Sequence, residues 1–213
     1  MSPKLTDMRD KVVMAALEFS AAGQWRQITM PEIATAAGIS SAELYRLFPM
    51  KSDILAGFLE KIDRQVLAQE FEFEDEDTPR DRLFEVLMSR FDALAPHRVS
   101  IRTLSRELIA DPLSTLSLGP AAMISTTWML AAAGISSYGP FGLFRVKGLL
   151  AVWLATLRVW LAEENPDLPR TMAALDRYLR RAERGAIAME GFEASALKFG
   201  DLESAGAANT YRE

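Results

Sequence analysis

The sequence predicts an all-helical fold, and three observations predict it. Apolar residues recur at spacings of three and four instead of alternating. Clusters of β-branched residues are sparse. Proline and glycine stand where helices would open and close. The expected architecture is a small N-terminal three-helix unit joined by a long helix to a larger helical body.

The first helix, about Leu5 to Ala22, places Val12, Ala15, Ala16 and Phe19 on one face and stops at Gly23, which suits the left-handed position beyond a helix end. Thr29 can cap a short helix from Met30 to Ala37, with Pro31 in its opening turn, where a missing N–H does no harm. Gly38 then supplies a tight turn, and Ser40 caps the helix Ser41 to Leu47. Pro49 ends it, and a long helix follows from Lys51 to about Phe71. The acid run Glu70, Glu72, Glu74, Asp75, Glu76 and Asp77 reads as a solvated connection and a candidate boundary between units. Thr78, Pro79 and Asp81 carry a capping pattern for a helix to about Leu94. Pro96, Asp111-Pro112 and Gly119-Pro120 punctuate further helices, and Gly134 closes the one that holds Trp128. A long helix runs from Phe141 to Glu163, and Asn165-Pro166 opens the last strong one, ending near Arg184. The expected division is 1–50, 51–184 and a weakly ordered tail 185–213, where Met189, Phe192, Ala196 and Phe199 could align but Gly191 and Gly200 oppose helix.

Composition excludes several chemistries. The 213 residues contain no cysteine, so disulfides, thiolate metal sites and cysteine nucleophiles are out, and a cytoplasmic location is the simplest expectation. His97, beside Pro96, is the single histidine and reads as a helix-start or surface residue, so neither a hydrolytic triad, which needs a positioned imidazole, nor a histidine metal site is expected. No glycine-rich phosphate loop occurs and no carboxylate pair sits in an apolar frame, so neither an enzyme nor a cofactor is expected. The greasiest run, Gly148 to Ala162, is broken by Arg158, so integral membrane association is not expected either. Net charge is −5. That total argues against a nucleic-acid-coated protein but leaves a local contact surface open, because screening makes the nearby field decisive.

Residues 29–51 have the spacing of a helix-turn-helix. Ile33, Ala34, Ala37, Ile39, Leu44 and Phe48 can form a miniature core, leaving Ser41, Ala42, Glu43, Tyr45 and Arg46 outward. Tyr45 offers a hydroxyl, Arg46 a guanidinium fork, Thr29 a hydroxyl at a helix start, and Lys51 a charge beside the long helix. With Ser40, these residues make the candidate DNA surface. Across residues 1–56, six cations meet six anions, so any binding should neutralise only about 2 to 4 phosphates per protomer.

From about Arg9 to Leu59, the chain resembles the TetR family of transcriptional regulators. The likeness rests on Ala16, Phe19, Gly23, Thr29, Ile33-Ala34, Ala37-Gly38-Ile39-Ser40, Leu44-Tyr45, Phe48, Lys51 and Leu55 in register. It implies an all-helical homodimer whose larger domain senses a ligand and dimerises, with Thr29, Ser41, Tyr45, Arg46 and Lys51 touching DNA. Two positions depart from the family pattern. Glu43 stands where a small or hydroxyl residue is usual, so its carboxylate should be repelled by phosphates unless it accepts from a cytosine amino group. Met50 replaces the usual polar cap before Lys51.

The body carries the aromatic bulk. Trp128, Phe144, Trp153, Leu157 and Trp160 are the candidate ligand wall, with ordinary core or a dimer face as alternatives for the same apolar stripe. Arg145, Lys147 and Arg158 either meet a ligand head group or lay their stems along apolar surface with their charges at water or at Glu163 or Glu164. The stretch from Trp128 to Leu179 is similar to the C-terminal part of lipid-binding ubiquinone-biosynthesis proteins that share the TetR fold. The shared marks are Trp128, Ala133-Gly134, Tyr138, Arg145, Thr156, Asn165-Pro166-Asp167-Leu168, Thr171 and Leu175. That likeness implies a long apolar ligand. The sequence therefore points to a homodimeric, DNA-binding regulator that responds to a small apolar molecule and reads a palindromic operator. The alternative is a lipid-binding accessory protein of ubiquinone biosynthesis that does not bind DNA.

Overall fold

Helices account for every regular element among the residues described by the structure, a computed structural model covering 3–109, 111–139 and 141–188. The head consists of α1 (Pro3–Ala21), α2 (Met30–Ala36) and α3 (Ser41–Leu47). The long α4 (Lys51–Leu67) leads into the body, formed by α5 (Pro79–Leu94), a 3-10 turn (Ala95–His97), α6 (Arg98–Ile109), α7 (Pro112–Ser117), α8 (Gly119–Ala132), α9 (Gly142–Ala162) and α10 (169–188). The tail from 189 onward lies outside the described residues. No helix among those described is long and apolar enough to cross a membrane.

One apolar core runs through head and body. It joins Val12, Ile33, Leu44 and Phe48 to Ile62, Phe91, Met129, Trp160 and Leu175. The helix α4 is shared by both parts, packing on α1 at one side and on α5 and α8 at the other. Its Gly57 lets the Phe48 ring sit against the helix backbone: a Cβ there would lie 2.7 Å from Phe48 Cε1. The head thus docks on the body through a close approach that any larger side chain would obstruct.

Two segments differ from expectation. The helix α4 stops at Leu67, short of Phe71, and the acid run folds into the α4–α5 loop of the body. There Phe71 and Phe73 alternate with exposed acids, stack on each other at 5.8 Å and pack on the core. A period of two turns one face inward, which no helix could do with those residues. At the other end of the body, α10 continues through Gly185 to residue 188.

Two buried polar knots fix the body. Asp63 on α4 accepts from Arg90 Nη1 on α5 at 2.6 Å and from the Ser125 hydroxyl on α8 at 2.8 Å. Burial pushes the Asp63 carboxyl up and the Arg90 guanidinium down, and their mutual contact opposes both shifts. Glu163, 1% exposed, ends α9 and starts α10: its carboxylate accepts from the Arg170 N–H, the Thr171 N–H and the Thr171 hydroxyl at 2.8, 2.7 and 2.6 Å. Burial would raise this carboxyl, but those donors hold it below the usual range. Glu163 is therefore engaged with α10, while Arg98 of α6 donates to the main-chain carbonyls of Trp160 and Glu163.

Candidate functional site

The helix α3 presents two faces of opposite character. Leu44 and the following Phe48 are buried, at 1% exposure each, while Ser41, Ala42, Tyr45 and Arg46 are exposed and lie together at helical spacings of three and four. Tyr45 is 70% exposed. Among the described residues, neither the Tyr45 hydroxyl nor the Arg46 guanidinium makes a hydrogen bond or ion pair. Gly38, at φ +67°, makes the turn that sets α3 against α2, a backbone region L-residues rarely adopt.

Glu43 does not project with that face. Its Oε2 accepts from the Ser40 N–H at 2.9 Å and from the Ser40 hydroxyl at 2.7 Å, and its own N–H donates to the Ser40 hydroxyl at 3.2 Å. This is a reciprocal capping box. The Ser40 hydroxyl, then its main-chain N–H, lower the Glu43 carboxyl below the usual range, with Arg46 and Lys4 adding attraction. The expectation of an outward Glu43 is corrected accordingly: the carboxylate is folded back on the start of its own helix, where it keeps its charge. Half of this device recurs in α2, where Glu32 Oε2 accepts from the Thr29 N–H at 2.8 Å and the Thr29 hydroxyl at 2.7 Å but the Thr29 hydroxyl caps no helix N–H.

Lys51 is also placed differently from a free phosphate clamp. Its ammonium donates to the Trp25 carbonyl at 2.9 Å and lies 5.6 Å from that ring, and burial lowers its pKa. It ties the α1–α2 loop to the start of α4. Met50 offers no side-chain cap there, and Asp53 instead accepts from the Met50 N–H at 2.8 Å. Arg9 is similarly engaged, donating to the Leu47 carbonyl and to Glu60, each at 3.1 Å.

The body contains a cavity of about 840 Å³ between the start of α5, the end of α8, α9 and α10. Its wall is mostly apolar: Leu83, Leu130, Leu149, Val152, Ala155 and Leu179 contribute. Of the five residues expected to line a ligand site, Phe144 does so. Trp160 is fully buried, Trp153 stacks on Phe91 at 4.6 Å, Leu157 packs against the core, and Trp128 is 53% exposed on α8. The reason is the position of α5, whose Phe91 meets both Trp153 and Trp160 and turns that stripe into core. The cavity lies beside it, on the face of α9 that carries Gly148 and Val152. Polar lining comes from Arg80, Arg82, Arg145, Arg181, Ser136, Tyr178 and Glu183, of which Arg145 alone had been marked in the sequence. Arg145 donates to the Ser136 carbonyl at 3.2 Å.

A capped two-helix unit, a shared long helix and a hollow helical body make the fold seen in TetR transcriptional regulators. The chain is similar to a TetR transcriptional regulator from Nitrosomonas europaea ATCC 19718, with TM-score 0.61 and 23% identity over 83% of this chain and 98% of the other. A TetR transcriptional regulator from Rhodococcus sp. RHA1 matches with TM-score 0.61 and 22% identity over 83% and 95%. A tetR-family transcriptional regulator from Streptomyces coelicolor matches with TM-score 0.53 and 18% identity over 94% and 99%. No protein-family model and no curated protein matches the chain.

Proposed function

We propose that this chain is a ligand-responsive transcriptional regulator that binds double-stranded DNA as a homodimer. The observation that carries the reading is the outer face of α3. Tyr45 and Arg46 are exposed and without a protein partner among the described residues, beside Ser41 and Ala42, while the one acid of that helix is turned back on Ser40. Such a face can lie in a major groove with Arg46 on a base edge or phosphate and Tyr45 on a phosphate. Thr29 and Lys51 flank it.

Pairing of two copies is supported by an exposed apolar strip: Leu143 and Leu154 on α9, with Ile124 and Trp128 on α8, are each about half exposed or more. A two-fold across this strip would set two heads for half-sites about 34–36 Å apart, or a multiple, on a palindromic operator. A ligand in the cavity would act through α5 and α8, whose residues Arg90 and Ser125 hold Asp63 of α4, the helix on which the head rides. Coupling requires only that the ligand bind the two head spacings unequally.

The test is a gel-shift titration at low salt against the DNA upstream of the gene itself. The expected result is a shift by the wild type that Arg46→Ala weakens by about tenfold or more, in line with ~1–3 kcal/mol for such a contact. An unshifted wild type would remove the regulator reading. The cavity would then favour the second reading, a lipid-binding accessory protein on the same fold, which mass spectrometry of co-purifying molecules would check.

A further inference from the structure

An apolar hollow by itself selects nothing beyond size, so what distinguishes this one is the charge built into its wall. Arg82 projects from the first turn of α5, half-buried, with its Nε fully buried and without a hydrogen-bond partner. None of its guanidinium nitrogens makes a hydrogen bond or ion pair with a described residue, and its nearest aromatic face is Phe73 at 5.9 Å. Three other arginines of the body share a buried Nε without a partner: in two, other nitrogens are answered from within, Arg90 by Asp63 and Arg98 by the carbonyls of Trp160 and Glu163, and the third, Arg102, does not line the cavity. A guanidinium stays charged at every physiological pH, so burying part of one without a counterion is costly.

The surroundings offer Arg82 no acid. Among the described lining residues, Glu183 is the only carboxylate, and it sits 3.5 Å from Arg80. Four arginines therefore face one acid around the same space. Gly134 closes α8 at φ +69° next to this point, and even a Cβ there would lie only 3.4 Å from Arg82 Nη1. The arginine is thus seated by a glycine that tolerates both the turn and the close approach. On α9, Gly148 also lines the hollow, with no neighbouring atom within 4 Å of where a Cβ would stand. The same hollow thus holds both a guanidinium without an acid and room for an apolar chain.

We propose that the cavity binds an aliphatic carboxylate, with the carboxylate on Arg82 and the chain along the α9 wall past Gly148. The proposal rests on the reading of the body as a ligand-binding unit and names the chemistry of its ligand. A volume of about 840 Å³ falls within the ~300–1,000 Å³ usual for small-ligand sites. A carboxylate matches the guanidinium fork bidentately, whereas an alcohol of the same chain offers one neutral acceptor.

The full chain is titrated with dodecanoate and with 1-dodecanol, each displacing a neutral fluorescent probe, with no DNA present. The expected result is that dodecanoate binds roughly tenfold more tightly than dodecanol, the usual scale for a charge-assisted contact. Arg82→Gln should bring the two affinities together while leaving dodecanol binding unchanged and without lowering the melting temperature, and Gly148→Phe should weaken both ligands by filling the hollow. Equal binding of the two ligands to the wild type, or a carboxylate preference that survives in Arg82→Gln, overturns the proposal while leaving the body a ligand-binding unit. Failure of both ligands to displace the probe, with no change in Gly148→Phe, overturns the ligand-binding reading as well. The gel shift of the wild type is a separate measurement that none of these outcomes alters.

Discussion

In the head, the charges around the reading helix are already answered: Glu43 by Ser40, Glu32 by Thr29, Lys51 by the Trp25 carbonyl, and Arg9 by Leu47 and Glu60. In the body, by contrast, the cavity leaves Arg82 without a partner among the described residues while an acid and an arginine close by pair with each other. A head whose caps and clamps are satisfied holds its shape alone and exposes a narrow contact, chiefly Tyr45 and Arg46. A body with an unmet internal charge offers the site where the proposed carboxylate would sit.

The strongest way to break this comparison is at Asp63, where the two parts are joined. Replacing it by Asn keeps the shape but leaves Arg90, 3% exposed, as a buried charge without its counterion. Loss of one partner from a buried pair costs about 3–5 kcal/mol, so Asp63→Asn should move the urea midpoint strongly downward. Replacing both partners at once, as in Asp63→Leu with Arg90→Met, should cost far less. If the single variant loses under about 1 kcal/mol, the pair is not what fastens α4 to the body.

A smaller effect sharpens the account of the head. Glu43→Gln keeps an acceptor for the Ser40 N–H but deletes the charge, so operator affinity should rise a few-fold with little change in melting temperature. Glu43→Ala deletes the acceptor as well and should fray α3, giving less affinity than the Gln variant despite the same charge. Gel shifts of the two variants side by side decide between them. Equal affinity in both would mean that the capping contact contributes nothing to the reading face.

The helices were legible because their signals are local. Gly23, Gly38 and Gly134 all take positive φ, and Ser40 and Thr78 cap where they were expected. Glu43 was misread by weighing its charge instead of its place three residues after a serine, although that spacing was present and was repeated by Thr29 and Glu32. Phe71 looked like the end of α4 because it fits a helical period, whereas the alternation Phe71-Glu72-Phe73 was the stronger signal. Trp153 and Trp160 lie on an apolar stripe that a ligand wall, ordinary core or a dimer face would each explain. Periodicity gives the face of a helix but not what lies against it, and here Phe91 of α5 does. Arg82 could not be picked out, since nothing local says that Arg80 rather than Arg82 finds Glu183, which is far away in sequence.

The smallest expected effect concerns pH and His97, at the corner where α5 meets α6. Its ring stands edge-on to Phe58 of α4 at 5.4 Å, and burial, followed by the nearby Lys61 charge, lowers its pKa from the ordinary value. The unfolded chain then takes up the imidazole proton at about pH 6.5, before the folded chain does. Stability from this group is complete above that pH and declines as pH falls through it toward the lower folded pKa, where the decline stops. Asp63, whose carboxyl is raised, contributes with the opposite sign at more acid pH, so the test must be a difference. Urea unfolding of the wild type and His97→Gln between pH 7.5 and 5.5, about one unit either side of the ordinary value, should show the wild type losing stability relative to the variant as pH falls. Parallel curves would mean that His97 titrates alike in both states, and that the α5–α6 corner does not keep the proton out.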